Sequence, residues 1–206
     1  MSKLLIPNIV VGRLPIYLRA LQRMAQENLI VTSSKELGER LEMPAVQIRK
    51  DLSQFGEFGK QGTGYKIEFL IQHLEKILHV DNEWEVTVIG AGDIGSAIAR
   101  YNGFTNRGFT VKLIFDNNAE KINTQIGTLT VKDSAGMVEI IQKAGIKIAM
   151  ICVPAEEAQY VAEQLIEAGI KGILNYASIN INTPKDVFLE FIDPSIHLQR
   201  MTYYID

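Results

Sequence analysis

Gly90-Ala91-Gly92-Asp93-Ile94-Gly95 stands between a β-rich run, Glu85-Val86-Thr87-Val88-Ile89, and a helical stretch, Ser96-Ala97-Ile98-Ala99-Arg100. A G-x-G-x-x-G pattern alone is weak, but between a strand and a helix it has the context that a dinucleotide fingerprint requires. The first glycine permits a tight turn, the second lets backbone approach a pyrophosphate, and the third lets helix and strand pack closely. The helix N-terminus favours the phosphate charge. A second run, Thr110 to Phe115, ends at Asp116, 24 residues beyond Gly92. An acid there accepts from the adenosine ribose hydroxyls and repels a 2′-phosphate, which favours NAD(H) over its 2′-phosphorylated counterpart. Gly90, Ala91, Gly92, Asp93, Ile94, Gly95 and Asp116 are thus candidate cofactor-binding residues. Val153 and Pro154 join them where a strand should end beside the crevice, and Tyr101 follows the fingerprint helix, where it could face the nicotinamide.

A dehydrogenase also needs a group to move the substrate proton, usually His, Lys or Tyr near the ring. His73 and His79 fall on a connecting helix and His197 on a terminal one, where a partly exposed histidine is the ordinary reading. Tyr101 has no lysine four residues later. No catalytic residue is assigned, and a nucleotide domain without an acid–base system reads as a sensor rather than an enzyme. The single cysteine, Cys152, cannot make an intramolecular disulfide or a cysteine-based zinc cage. It reads as a small core residue, and no metal is expected.

A second group of residues suits a different chemistry. Gln47, Arg49, Lys50 and Ser53 fall on one short helical stretch, with Val46, Ile48 and Leu52 available for packing. Arginine takes guanine bidentately and glutamine takes adenine, while lysine and serine serve phosphates equally well. A solvated charged face would use the same residues. The following segment, Phe58 to Ile67, has three glycines and a tip at Lys60 and Gln61, the pattern of a hairpin. After a helix-turn-helix such a hairpin is a wing, and a basic wing tip reaches the minor groove.

These two groups need different scaffolds. For the basic group, Leu14, Leu18, Leu21, Met24 and Ala25 predict a helix ending near Asn28. Ser33 with Glu36 predicts a capping box, and Pro44 suits the first position of a third helix, Ala45 to about Gln54. Helix, short helix, turn and helix make a helix-turn-helix. A helix from about Glu68 to His79 leads to the glycine motif. Beyond it the chain alternates: helix near Asp133–Ala144, strand Lys147–Val153, helix Glu156–Ala168, strand Gly172–Asn175, a β-like run Val187–Ile192, and a short helix opened by Pro194. The expected architecture is a winged helix over 1–80 and a Rossmann-like parallel sheet over 81–192, with a C-terminal helix over 193–206.

Composition agrees with this division. The 206 residues, 47% hydrophobic and 22% charged, suit one large or two modest globular domains. Residues 1–80 hold 11 Lys+Arg against 8 Asp+Glu, net +3, whereas residues 81–206 hold 10 against 16, net −6. A basic segment beside an acidic remainder suits a nucleic-acid-binding module joined to something else, although uneven charge also arises without consequence. No run approaches the roughly 18 uninterrupted apolar residues of a membrane span, and a cytoplasmic location is expected.

Over nearly its whole length the chain resembles the Rex family of redox-sensing transcriptional repressors. The matching blocks are Arg13 to Arg19, Gln47 to Gly56, the wing ending in Gly64-Tyr65, Gly90 to Gly95, Tyr101 to Phe104, Val153 to Ala155, Ala168 to Asn175, and Ile192-Asp193. The resemblance implies a homodimer that exchanges its C-terminal helix, binds NAD(H), grips an inverted-repeat operator in double-stranded DNA through paired winged helices, and lets go when NADH is high. It also implies a switch in which Asp193 pairs with Tyr101 or with Arg19. The chain departs from the family pattern at Gln61, where Arg or Lys is usual, and at Asp93 inside the fingerprint. Pro194 and Ser178 are further departures. A divergent relative with weak NADH response, or an NAD-dependent oxidoreductase, would share much of this sequence.

Overall fold

The computed structural model describes residues 6–58 and 64–205. The chain divides into two compact units, Met1–Asn82 and Glu83–Asp206. In the first, α1 (Asn8–Val11) leads into α2 (Leu14–Gln26), which puts Leu14, Tyr17, Leu18, Leu21 and Met24 on one buried face at helical spacing. Strand β1 (Val31–Thr32) and α3 (Ser34–Leu41) follow. The Ser33 hydroxyl accepts from the Glu36 amide at 3.0 Å, so half of the expected capping box forms. The Glu36 carboxylate accepts instead from the Thr32 hydroxyl.

Helix α4 (Ala45–Ser53) packs across α3, and Gly38 makes the close approach possible. A Cβ there would stand 2.5 Å from the Met43 carbonyl oxygen. Pro44 is the N-cap rather than the first helical residue. Its extended backbone, φ −60° and ψ 129°, keeps it outside the helix while its carbonyl accepts from Gln47 and Ile48. Strand β2 (Tyr65–Lys66) leads into α5 (Ile67–Leu78), whose Ile67, Leu70 and Leu74 close the core against Leu37, Ile48 and Leu52.

Of the expected hairpin over Phe58–Ile67, residues 59–63, which include most of its first strand and its tip, lie outside the described residues. β2 pairs antiparallel with β1, Val31 opposite Lys66 and Thr32 opposite Tyr65, and Gly56–Phe58 form no strand. Phe58 is buried in the core, edge-on to His73. The tip residues Lys60 and Gln61 lie outside the described residues.

The second unit is a seven-stranded sheet. Its elements run β3 (Trp84–Ile89), α6 (Asp93–Arg100), a 3-10 turn Asn102–Arg107, β4 (Phe109–Asp116), β5 (Gln125–Ile126), β6 (Leu129–Asp133), a 3-10 turn Ser134–Gly136, α7 (Met137–Ala144), β7 (Ile148–Ile151), α8 (Ala155–Glu167), β8 (Gly172–Asn175), β9 (Phe188–Phe191) and α9 (Pro194–Thr202). The strand order is β5-β6-β4-β3-β7-β8-β9, parallel except for the short edge strand β5. Without β5 this is the doubly wound 3-2-1-4-5-6 order, whose switch point lies between β3 and β7. On one face α7 and α8 bury Met137, Ile141, Ala158 and Leu165 against the sheet. Ile98 of α6 covers the other face with Val86, Val88 and Met150. No described helix is long and apolar enough to cross a membrane.

Candidate functional site

A cavity of about 840 Å3 opens where β3, β4, β6 and β7 end. The glycine motif forms its floor. Gly90 has φ +99°, and a Cβ there would stand 2.4 Å from the Cys152 carbonyl oxygen, so only glycine fits beside β7. Gly92 caps α6 and meets nothing within 4 Å, which leaves its backbone open to an approaching group. At Gly95 a Cβ would lie 1.8 Å from the Gly90 carbonyl oxygen. Gly95→Ala is expected to push α6 off the turn at a cost of about 2–3 kcal/mol. A thermal scan should show Tm lowered by about 5 °C or more. An unchanged Tm would mean that the turn rearranges freely.

Asp116 ends β4 and is 7% exposed. One carboxylate oxygen accepts from the Ala91 amide at 2.7 Å and from Lys121 Nζ at 3.3 Å. The other accepts from the Asn118 amide at 2.8 Å. Burial pushes this carboxyl up, but the backbone donors and the Lys121 ammonium outweigh it and hold the group below the usual aspartate value. The acid thus stitches the glycine turn to the β4 terminus while still lining the cavity. Asp93, in the first turn of α6, is exposed, makes no capping bond and lines the same cavity. Its charge suits the helix dipole, and a phosphate bound there would compete for the same field.

Ile94, Val153 and Pro154 line the cavity, as does Cys152, whose thiol burial pushes up to about 12. Such a thiol is unreactive near neutrality. Tyr101 is not among the described lining residues. It caps the C-terminus of α6, half-exposed, with its ring edge-on to Phe104 and close over Gly103. Asp193 caps α9, where its carboxylate accepts from the Ser195 amide at 2.9 Å. That bond lowers its pKa. Arg19 is exposed on α2 of the other unit. Sequence reasoning did not single out Lys121, Asn117, Asp133 or Tyr160, all of which line the cavity.

In the first unit, α4 presents Val46, Arg49, Lys50 and Ser53 at i, i+3, i+4 and i+7, an exposed face. Val46 was expected to pack, but it is 64% exposed. Arg49 donates from Nη1 to the Ser34 hydroxyl at 2.9 Å, and the Ser53 hydroxyl donates to the Lys50 carbonyl. Gln47 turns the other way, half-buried, and donates to Asp51 Oδ1 at 2.7 Å.

Asp51 is the centre of a network that the sequence did not reveal. It is 1% exposed and takes Arg13 bidentately, Nε at 2.6 Å and Nη2 at 2.8 Å. The Tyr17 hydroxyl adds a third partner at 2.6 Å. Burial pushes the Asp51 carboxyl up, yet the bonds from Arg13, Tyr17 and Gln47 carry it below its ordinary value. Burial and the adjacent carboxylate raise the Tyr17 phenol. This network clamps α4 to α2.

Together the two units define a class: a winged-helix unit followed by a Rossmann-type nucleotide-binding fold. The family "Putative DNA-binding protein N-terminus" matches residues 5–53, and "CoA binding domain" matches residues 81–179. A "Redox-sensing transcriptional repressor Rex" of Chloroflexus aurantiacus is 49% identical, covering 97% of this chain and 94% of that protein. "Redox-sensing transcriptional repressor Rex 1" of Thermotoga maritima is 44% identical over 97% of this chain and 96% of its own. RSP, a Rex-family repressor, solved with β-NAD+ and operator DNA, superposes with a TM-score of 0.93 at 39% identity, covering 98% of this chain and 93% of that one. RSP with β-NADH gives 0.89 at 36%, covering 98% and 94%. The chain belongs to the Rex family.

Proposed function

We propose that this protein is a DNA-binding transcriptional repressor that senses NADH against NAD+ and leaves an inverted-repeat operator when NADH binds. The observation that carries the reading is that one chain holds both a basic outward face on α4 and an acid-terminated glycine crevice. Relatives of the same fold have been solved with operator DNA and NAD+, and with NADH. Asp116 favours a dinucleotide over coenzyme A, because coenzyme A carries a phosphate on the adenosine ribose that would face this carboxylate. In this reading the nucleotide acts as a signal, in keeping with relatives named redox-sensing transcriptional repressors.

The reading assigns 1–80 to DNA, 81–192 to NAD(H) and 193–206 to exchange between two copies in a cytoplasmic homodimer. In support, α9 and the residues after it expose Ile196, Leu198, Met201, Tyr203, Tyr204 and Ile205, an apolar set that a second copy would cover. Asp193 choosing between Tyr101 and Arg19 makes a bistable element. A dinucleotide that prefers one state about 100-fold shifts the balance by about 2.7 kcal/mol.

The test is fluorescence anisotropy of an inverted-repeat duplex at fixed salt, titrated with protein and then with NADH or NAD+. Release by NADH and not by NAD+ is expected. Binding that ignores both nucleotides would put the chain among divergent relatives that have lost sensing, with Asp93 and Pro194 as the places to look. In the same assay Arg49→Ala is expected to weaken operator binding by at least about tenfold, roughly 1.4 kcal/mol, and to leave NADH affinity intact. An unchanged operator affinity would remove α4 as the reading helix.

A further inference from the structure

Helix α8 brings a side chain to the cavity that neither the glycine motif nor Asp116 requires. Glu157, Tyr160, Val161 and Gln164 line it along two turns. Asn117, next to the ribose acid, donates from Nδ2 to the Glu157 carboxylate at 3.2 Å, which joins the end of β4 to α8. The cavity wall therefore runs continuously from Asp116 to Tyr160. Val161 is buried beneath it, whereas the Tyr160 ring is 65% exposed. Gln164, one turn on, donates to the Tyr160 hydroxyl at 3.4 Å and limits how the ring swings. A large aromatic side chain held in that way and left bare on a cavity wall offers a flat face to a ligand.

The position of that face decides what it meets. In a doubly wound sheet the pyrophosphate sits at the N-terminus of the first helix and the adenosine ribose at the acid ending the second strand. Here these are α6 and Asp116. The base must then lie beyond Asp116, between α8 and the turn from β6 to α7, where Ala135 and Met137 line the cavity. We infer that Tyr160 is the base platform of the site, its ring stacking on the adenine of the bound dinucleotide. The inference rests on the NAD(H) reading above.

NADH titrations of the full-length protein, with ADP-ribose as a competitor that keeps the adenosine half, test it. Tyr160→Ala is expected to weaken both ligands by about tenfold, the scale of one base stacked on one aromatic ring, and Tyr160→Phe to stay within about twofold. Because Tyr160 is exposed, Tyr160→Ala should leave Tm unchanged. Irradiation of the wild-type protein with 2-azido-adenine NAD+ should label α8 at Tyr160, and excess NADH should block the label. Unchanged NADH affinity in Tyr160→Ala, or a label recovered only elsewhere, overturns the platform while NADH binding stands. Failure of the wild-type protein to bind NADH overturns the dinucleotide reading and the platform with it.

Discussion

Asp51→Ala is expected to destabilise the N-terminal unit by about 3 kcal/mol and to abolish specific DNA binding. The substitution leaves the buried Tyr17 hydroxyl without its acceptor and strips the bidentate partner from Arg13, whose side chain is only 18% exposed. Removing one member of a buried ion pair costs about 3–5 kcal/mol because the other charge remains. The residual solvent contact of Arg13 puts this case at the lower end. For a unit of this size the loss corresponds to a Tm about 12 °C lower or more. DNA binding goes with it, since these bonds from Arg13 and Tyr17 hold α4 against α2. Asp51→Ala with an unchanged Tm would show that the clamp contributes nothing.

The same carboxylate gives the unit a pH dependence of known sign. The folded-state pKa of Asp51 lies below its unfolded value, so its contribution is complete above the unfolded pKa, about 3.9. It is lost as the pH falls through the folded value. Urea midpoints should therefore drop steeply below about pH 4 for the wild-type protein and less steeply for Asp51→Asn, which cannot titrate there.

Asp51 was legible in principle. It shares the inward face of α4 with Ile48 and Leu52, and an acid on an apolar face calls for a cation. Its partners Arg13 and Tyr17 lie 38 and 34 residues away, however, and no local pattern joins them. The outward place of Val46 is also available from its spacing to Arg49, Lys50 and Ser53, although its apolar character alone points to packing. The ladder between Val31–Thr32 and Tyr65–Lys66 was hidden for the same reason as the Asp51 network: each strand has two residues, and their pairing is long-range. The glycine turn, Asp116, β7, β8 and α8 emerged from sequence because their determinants are local, being a fixed spacing of glycines and uninterrupted periodicity. Tyr160 did not, since its meaning depends on the cavity beside it and not on its neighbours in sequence.

Asp116→Ala is expected to weaken NADH binding by about 30-fold, roughly 2 kcal/mol, and to remove most of the preference for NADH over NADPH. Two effects combine. On the proposed reading a charged acceptor for the ribose hydroxyls disappears, and hydrogen bonds to charged groups contribute about 1.5–3 kcal/mol. The Ala91 and Asn118 amides and the Lys121 ammonium also lose their common partner, which loosens the turn beneath the pyrophosphate. NADPH gains relative to NADH because the carboxylate that repels its 2′-phosphate is gone, and Lys121 is left to attract it. Asp116→Asn separates the two effects. The amide carbonyl can still accept from Ala91, but its NH2 then faces the Asn118 N–H, so the turn is partly held while the charge is absent. Titrations of the three proteins with NADH and NADPH should therefore show Asp116→Asn matching Asp116→Ala in lost selectivity and falling between it and the wild type in NADH affinity. Unaltered NADH affinity in Asp116→Ala would take the residue out of the ribose site and leave it only its bonds to the glycine turn.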